Sequence, residues 1–562
     1  MNTQKKWEVV TKFSKEFKSR FPEMDDVILQ LLWDRNLKTQ ESIDEFLNPD
    51  YSQDIHSPFI FKDMKKAVDK IKKTIKFNKK IVVYGDYDAD GVCSSVILFE
   101  ALKKIGCKPD VFLPHRETDG YGLNMQRIEE FAKENQLMIT CDCGISNKKE
   151  VERANELGMD IIITDHHEVP KDAPPAYAII HPKHPREKYP WKDLSGGGVA
   201  FKLAQGLLSE EKDEPFIKWL LDLVAISSIA DVVPLLGETR TLTKYGLLVL
   251  NKTQRLGLKK LMEVARAKPG LLDTYSVGFM IAPRINAAGR MNHASAAYKL
   301  LISDSEEETN DLAKQINKEN SERQKIAEKM CSEAKYQVVE GKTEEDFVLF
   351  AFNEEWSPGL VGLVASRLSD WFYRPTIVLT KKGDEIIGSG RSIDEFNLIE
   401  ALEEIPQFFS KFGGHPGACG FSLKSADKID EFKKAFLSVA SKKLKKLDLL
   451  PKIIIDKEVE LKEIDWGLYD KLKKFEPFGE KNPRPKFLVK NVEIMNLQTI
   501  GADGKHLRMN IEGKKMIGFF FGAWAGRLNS GDFVDIIFEV GVNEWNGNRE
   551  LQLKIIDLKK HE

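Results

Sequence analysis

Four short segments place ionisable side chains where apolar runs stop. VVYGDYDADG at 82–91 leads from a strand-like run into Asp86 and Asp88, two residues apart and so on one side of an extended chain, with Asp90 close behind. LMITCD closes on Asp142, and DIIITD closes on Asp165, followed at once by His166 and His167. In SSIADVVP, Asp231 interrupts an apolar run, where an unpaired charge is expensive. Two like charges at one strand end repel unless a cation holds them. Carboxylates and imidazole without thiolate suit Mn²⁺ or Mg²⁺ better than a structural Zn²⁺. Asp90, just ahead of Gly91 and a helix, reads equally well as an N-cap, and Asp231 as half of a buried salt bridge.

The elements that must position these groups follow from the surrounding pattern. From Lys79, short apolar runs (KIVVYGD, DVFLP, LMITCD, DIIITD, AYAIIHP) alternate with amphipathic stretches, the pattern of a parallel, doubly wound sheet. In such sheets ligands collect at the carboxyl ends of the strands, where these aspartates stand. Residues 196–330 read as mostly helical, and the stretch after Asp304 runs through EEETNDLAKQINKENSERQKIAEKM without Gly or Pro, predicting a long, partly solvated connector helix. A second α/β pattern follows, with strands DFVLFAF, TIVLT and EIIGSG and a helix over about 359–371. Beyond residue 450, alternating runs such as FLVKNVEIM, HLRMNIE, MIGFFF and LQLKIIDL predict an OB-like β-barrel. The fold class is therefore multidomain α/β. Its expected units are a helical N-terminal segment at 1–50, a parallel-sheet domain at 51–210, a helical region completing that domain and continuing as the connector at 211–340, a second α/β domain at 341–448, and the barrel at 449–562.

Composition narrows the classes. A length of 562 residues suggests several domains, and 42% hydrophobic with 31% charged residues argues against disorder. Lys+Arg (85) nearly balances Asp+Glu (87), which excludes a globally basic binder but leaves room for a local basic groove. Six cysteines are too sparse for a disulfide framework. The first residues contain no apolar signal core and no run approaches the ~18 apolar residues of a membrane span, so the expected location is cytoplasmic. Gly341-Lys342-Thr343 superficially matches the end of a nucleotide-binding loop, but its first glycine is replaced by Tyr336, and no ATP site is expected.

In order and spacing, YGDYDADG, TCDCGI, TDHHE and SSIADVV resemble the four motifs of the DHH phosphoesterase superfamily. DGYGLN at 119–124, LSGGGVAFKL at 194–203, APRINAAGRM at 282–291, PGLVGLVASRL at 358–368, GSGRS at 388–392, GGHPGACG at 413–420 and PFGEKNPRPKF at 477–487 extend the resemblance to the RecJ single-strand-specific exonucleases over about residues 50–558. Departures are few: Ser357 stands where the family pattern has His, Cys419 where Ala is usual, and Gly197 where Val is frequent.

The resemblance implies a catalytic DHH domain, a DHHA1 domain across a cleft from it, and an OB-like single-strand-binding domain. It implies two divalent cations held by Asp86, Asp88, Asp142, His166 and Asp231, with Asp142 bridging, His167 on the scissile phosphate, and Asp90 and Asp165 peripheral or orienting. Arg116, Arg290, Ser389 and Arg391 would grip a 5′ phosphate, His415 would approach the backbone and Tyr121 would stack on a base. Bottom-up alternatives are an interdomain salt bridge for Arg116 and Arg290, core packing for Tyr121 and a turn-stabilising role for His415. The implied activity is 5′→3′ hydrolysis of single-stranded DNA in recombination and repair. The implied partners are a RecQ-like helicase and single-strand-binding protein, and the chain is expected to be a monomer. Two alternatives are a nanoRNase or small-substrate DHH phosphatase, and a non-catalytic DNA-binding scaffold.

Overall fold

The computed structural model describes residues 5–341, 347–545 and 547–561. Residues 1–4 of the expected helical segment at 1–50 lie outside the described residues, as do Lys342 and Thr343 next to the expected domain boundary at 341. No helix among the described residues is long and apolar enough to cross a membrane.

Five parallel strands form the first sheet, in the order Asp110–Phe112, Ile81–Tyr84, Leu137–Cys141, Asp160–Thr164, Ala178–Ile180. Both faces are covered, so the strands are almost continuously apolar. Ile81, Val83, Leu137 and Ile139 pack against the helices Met64–Lys76, Ala89–Lys104 and Gly196–Leu207, whereas Val82, Tyr84, Met138 and Ile161 pack against Met125–Phe131 and Lys148–Glu156. Strand order reverses between Ile81–Tyr84 and its neighbour Leu137–Cys141, which opens a crevice at their carboxyl ends. Asp86, Asp88 and Asp142 follow those two strands directly.

Helices Leu221–Ala230, Gly237–Leu250, Leu256–Ala265 and Ala282–Met291 complete this domain. The helix Glu306–Gly341 then runs for 36 residues. Its first half buries Ala313 and Ile316 in the core of the first domain, and its second half buries Met330, Cys331, Ala334 and Val338 against the second sheet. One rigid rod therefore spaces the two domains.

The second sheet runs Phe409–His415, Ala418–Leu423, Glu385–Arg391, Thr376–Lys382, Leu349–Phe352, with only the last pair parallel. Its hairpin Phe409–Leu423 was not anticipated as strand, because glycines at 413, 414, 417 and 420 erase the apolar alternation. The third sheet has seven strands, in which the long pair Phe533–Trp545 and Asn548–Lys560 is flanked by Phe487–Glu493 on one side and Lys514–Gly518 on the other.

The N-terminal segment departs from the all-helical expectation. Lys6–Val9 is a strand, paired in parallel with Lys452–Ile455. Four residues give too short a window for period-two alternation to outweigh helical spacing, and the partner that decides the matter lies at the other end of the chain. The helices that follow, Lys15–Arg20, Asp26–Asp34 and Gln40–Leu47, share one core with the third sheet. Buried Arg240 fastens this body to the first domain, donating to the carbonyls of Phe46 (3.1 Å), Phe475 (2.9 Å), Lys474 (2.8 Å) and Glu476 (2.8 Å).

Candidate active site

Asp86 and Asp88 stand between the first strand and the helix Ala89–Lys104, and both belong to one cluster with Asp142. Asp88 is the helix N-cap, accepting from the backbone N–H of Asp90 (2.9 Å) and Gly91 (3.1 Å). The capping role weighed for Asp90 thus falls to Asp88. Asp90 instead reaches across to the next helix, where its carboxylate accepts the N–H of Gly196 and of Gly197, each at 2.8 Å, and the Ser227 hydroxyl. Gly196 is required by close approach, since a Cβ there would sit 2.7 Å from the Cβ of Asp142.

Asp142 takes a left-handed backbone conformation (φ 63°), with its N–H bound to the Thr164 carbonyl. Its Oδ1 lies 3.0 Å from Nε2 of His166, and that nitrogen is also 3.5 Å from Asp90 and 3.6 Å from Asp231. Three donor triads result, Asp86–Asp88–Asp142, Asp142–His166–His167 and Asp90–His166–Asp231, linked through the shared Asp142 and His166. Asp165 turns away from them. One of its oxygens accepts from the His166 N–H (2.7 Å), the His167 N–H (3.1 Å) and His167 Nδ1 (2.8 Å), and the other accepts from the Ile145 N–H.

The electrostatics reflect five carboxylates, Asp86, Asp88, Asp90, Asp142 and Asp231, crowded away from water. Burial, then the Asp88 charge, pushes Asp86 well above the ordinary carboxylate range; burial with Asp90 and Asp88 does the same to Asp142 and raises Asp231 to about 8. Burial holds His166 down, at about 4. Burial alone would lower His167 too, but Asp165 and Asp231 outweigh it and push the imidazolium up to about 9. Asp86 Oδ1 is buried with no hydrogen-bond partner among the described residues. Cys141 and Cys143 take no part: their sulfurs face Ser95 and the carbonyls of Tyr84 and Gly85. An unsatisfied carboxylate oxygen among oxygen and imidazole donors fits a hard divalent cation.

Three guanidinium groups stand at the cleft, Arg116 and Arg290 on the first domain and Arg391 on the second. Arg391 lies on the strand Glu385–Arg391 and donates to the Ser389 hydroxyl (3.1 Å) and the Gly390 carbonyl (2.7 Å). Arg290 donates to the carbonyl of Gly359 in the second domain rather than to a carboxylate, and Arg116 lies over the Tyr87 ring. None forms an ion pair within 4.0 Å among the described residues, so the salt-bridge alternative fails for Arg116 and Arg290. Burial, then the charge of Arg116, lowers both Arg290, to about 10, and Arg391. The charge of Arg116 thus bears on both of the others, one on each side of the cleft.

Tyr121 is half exposed rather than core, with its hydroxyl 3.2 Å from the His167 ring nitrogens. His415, at the exposed end of its hairpin, lines a cavity of about 260 Å³ with His166, His167, Asp231 and Lys183. Sequence reasoning missed Ser227 and Asn286, whose carbonyl oxygen accepts the Ala89 N–H at 2.8 Å. For Ser227 a signal existed: it lies four residues before Asp231, on the same side of one apolar helix. In the third domain Phe521 and Trp524 pack against the core, Phe519 and Phe520 are exposed, and the side chain of Trp545 lies outside the described residues.

Carboxylates and imidazoles at the switch point of a parallel sheet, facing unpaired guanidinium groups, are the equipment of a metal-dependent phosphoesterase. Comparison with known proteins narrows that class. The chain matches the models of the DHH family N-terminal domain over residues 80–228, the DHHA1 domain over 345–442 and the RecJ OB domain over 455–557. It is 40% identical over 538 residues to the single-stranded-DNA-specific exonuclease RecJ of Bacillus subtilis, covering 94% of this chain and 67% of that protein. It is similar to the crystal structure of RecJ from Thermus thermophilus in complex with Mn²⁺ (TM-score 0.84, 28% identity, 99% of this chain and 80% of that one) and to the Mg²⁺ complex (TM-score 0.76, 25% identity, 99% and 79%). The chain belongs to the RecJ family of single-stranded-DNA-specific exonucleases.

Proposed function

We propose that this protein hydrolyses single-stranded DNA from its 5′ end, with Mn²⁺ or Mg²⁺ held by Asp86, Asp88, Asp142, His166 and Asp231. The observation that carries the reading is the set of overlapping donor triads joined by the 3.0 Å contact between Asp142 and His166. The family supports the substrate, and the metal-bound RecJ structures of Thermus thermophilus support the cations.

When bound, the cations neutralise phosphate charge and make water a nucleophile at neutral pH. The chain's own residues do the rest. Asp165 fixes the ring of His167 through Nδ1, which turns the imidazole to the phosphate. Asp90, tied to the start of the helix Gly196–Leu207, holds the two halves of the cluster in register. Arg116, Arg290 and Arg391 receive a terminal phosphate opposite the metal ligands, so the bond presented for cleavage lies inward from the 5′ end. That placement gives the polarity. A RecQ-like helicase and a single-strand-binding protein are the partners this reading implies.

The test is end-labelled single-stranded DNA incubated with the wild type and with Asp142→Ala. The wild type should release mononucleotides from the 5′ end in Mn²⁺ and none in EDTA, and should spare blunt duplex. The variant should bind the strand without cutting it. Undiminished cleavage by Asp142→Ala would sink the proposed site.

A further inference from the structure

Midway along the connector helix Glu306–Gly341, Arg323 falls on the stripe of inward-facing positions that includes Ile316, Asn320 and Ala327. Its Nε is buried with no hydrogen-bond partner, and the guanidinium forms no ion pair within 4.0 Å among the described residues. Asn320, 2% exposed, likewise leaves its amide oxygen unpartnered. Buried polar atoms without partners are rare in folded chains and ask for an explanation. These two stand where the first-domain half of the helix gives way to the half that packs on the second sheet.

The charges that bear on Arg323 are of its own sign. Burial, then the charges of Arg367 and Arg284, lowers its pKa. Arg284 donates to the Met280 carbonyl (2.6 Å) and to Asn317 (3.0 Å), and Arg367 reaches the Cys331 sulfur (4.0 Å), so neither is answered by an acid. Glu319, one turn before Arg323, accepts from Gln315 (3.0 Å) and forms no ion pair with Arg323 within 4.0 Å. The row of cations continues to the strand-end grip. Arg290 feels Arg116, Asp88 and Arg323, whereas no aspartate's charge bears on Arg323, which therefore lies farther from the metal ligands than Arg290 does. In the reading above, the bond to be cut lies on the metal side of the terminal phosphate. Anything attached to that phosphate at the 5′ end extends the other way, to where the unanswered guanidinium groups stand, and guanidinium is a strong, geometrically matched partner for phosphate.

We propose that Arg323, backed by Arg284 and Arg367, forms a second phosphate subsite beyond the 5′-phosphate grip, one that receives the outer phosphates of a strand end bearing a triphosphate. This deepens the nuclease reading above and rests on it. Such ends arise where a strand is begun from a nucleoside triphosphate rather than by cutting a longer one, so the substrates of this site include newly initiated strands.

The experiment measures, by fluorescence anisotropy in EDTA, the affinity of one short single strand carrying a 5′-hydroxyl, a 5′-monophosphate or a 5′-triphosphate. EDTA stops cleavage and keeps a metal from being held by the triphosphate itself. The wild type should bind the monophosphate roughly tenfold tighter than the hydroxyl, and the triphosphate roughly tenfold tighter again. Arg323→Gln should abolish the second step and keep the first, and the retained first step shows that the cleft is folded. Arg391→Lys should do the reverse, weakening the first step. Equal wild-type affinity for monophosphate and triphosphate would overturn the subsite, as would an Arg323→Gln chain that keeps the second step. Loss of both steps in that variant would make Arg323 a support of the first grip and overturn the subsite too. A wild type that shows both steps yet cuts no strand in Mn²⁺ would count against the nuclease reading and leave the subsite standing.

Discussion

The carboxylate of Asp90 lies 2.8 Å from the first backbone nitrogen of the helix that Gly196 begins. A glycine-rich helix start is a ready anion site, and here the anion is the protein's own. Gly196, Gly197 and Gly198 therefore make no phosphate loop. They serve the carboxylate of Asp90 beside His166, and they leave room for Asp142.

Asp165→Asn tests the support beneath the cluster. The amide cannot accept two backbone N–H bonds and an imidazole N–H as a carboxylate does, so His167 loses its fixed orientation. Such supporting changes cost about 10–100-fold in metal affinity or activity. A Mn²⁺ titration of cleavage beside calorimetric Mn²⁺ binding should show that loss, while circular dichroism stays that of the wild type.

Arg391→Lys tests the grip on the strand end. A lysine keeps the charge and loses the planar fork, so the preference for a 5′-phosphorylated over a 5′-hydroxyl strand should fall by roughly tenfold. Competition between the two strands in one reaction reads this ratio. An unaltered ratio would move the phosphate away from Arg391.

Lys202→Met addresses stability. Lys202 and Glu238 are both fully buried and paired, with Lys202 also donating to the His56 carbonyl and Tyr189 to Glu238. Removing one partner strands a charge, which costs about 3–5 kcal/mol. Thermal unfolding should show a clear drop in Tm, partly recovered when Glu238→Gln is added to the same chain.

Asp119→Asn carries a pH signature. Asp119 accepts from the His115 N–H (2.8 Å) and Arg127 (3.0 Å), closing the loop that bears Arg116 and Tyr121. Burial opposes ionisation, but these bonds prevail and the carboxyl sits below its usual range. A depressed folded value stabilises the protein above the unfolded value, about 3.9, and the gain disappears as the pH falls below it. The stability gap between wild type and variant should be full at neutral pH and vanish in acid denaturation below that point.

Much of the site was legible because strand ends announce themselves. Asp86, Asp88, Asp142, Asp165 and His166 each follow a run of apolar residues, and parallel strands deliver such ends to one edge whatever the loops between them do. The roles inside the cluster were not legible. Which of Asp88 and Asp90 caps the helix depends on where its first turn closes, and Asp90 finds its partners more than 100 residues away at Gly196 and Gly197. The same limit hid the strand Lys6–Val9 and the glycine hairpin over 409–423, since both exist through distant or side-chain-free pairing.

The union of the N-terminal segment with the third domain has a consequence in time. Arg35 is bound to Asn482, a residue 447 positions later, and Leu29, Leu31 and Leu32 have no complete core until that part of the chain exists. At ribosomal rates of ~5–20 residues per second, that wait is on the order of half a minute. The helices Lys15–Arg20, Asp26–Asp34 and Gln40–Leu47 thus leave the ribosome long before they are covered. A nascent chain of this protein should expose an adhesive stretch through much of its synthesis, a natural client for chaperones that work beside the exit tunnel.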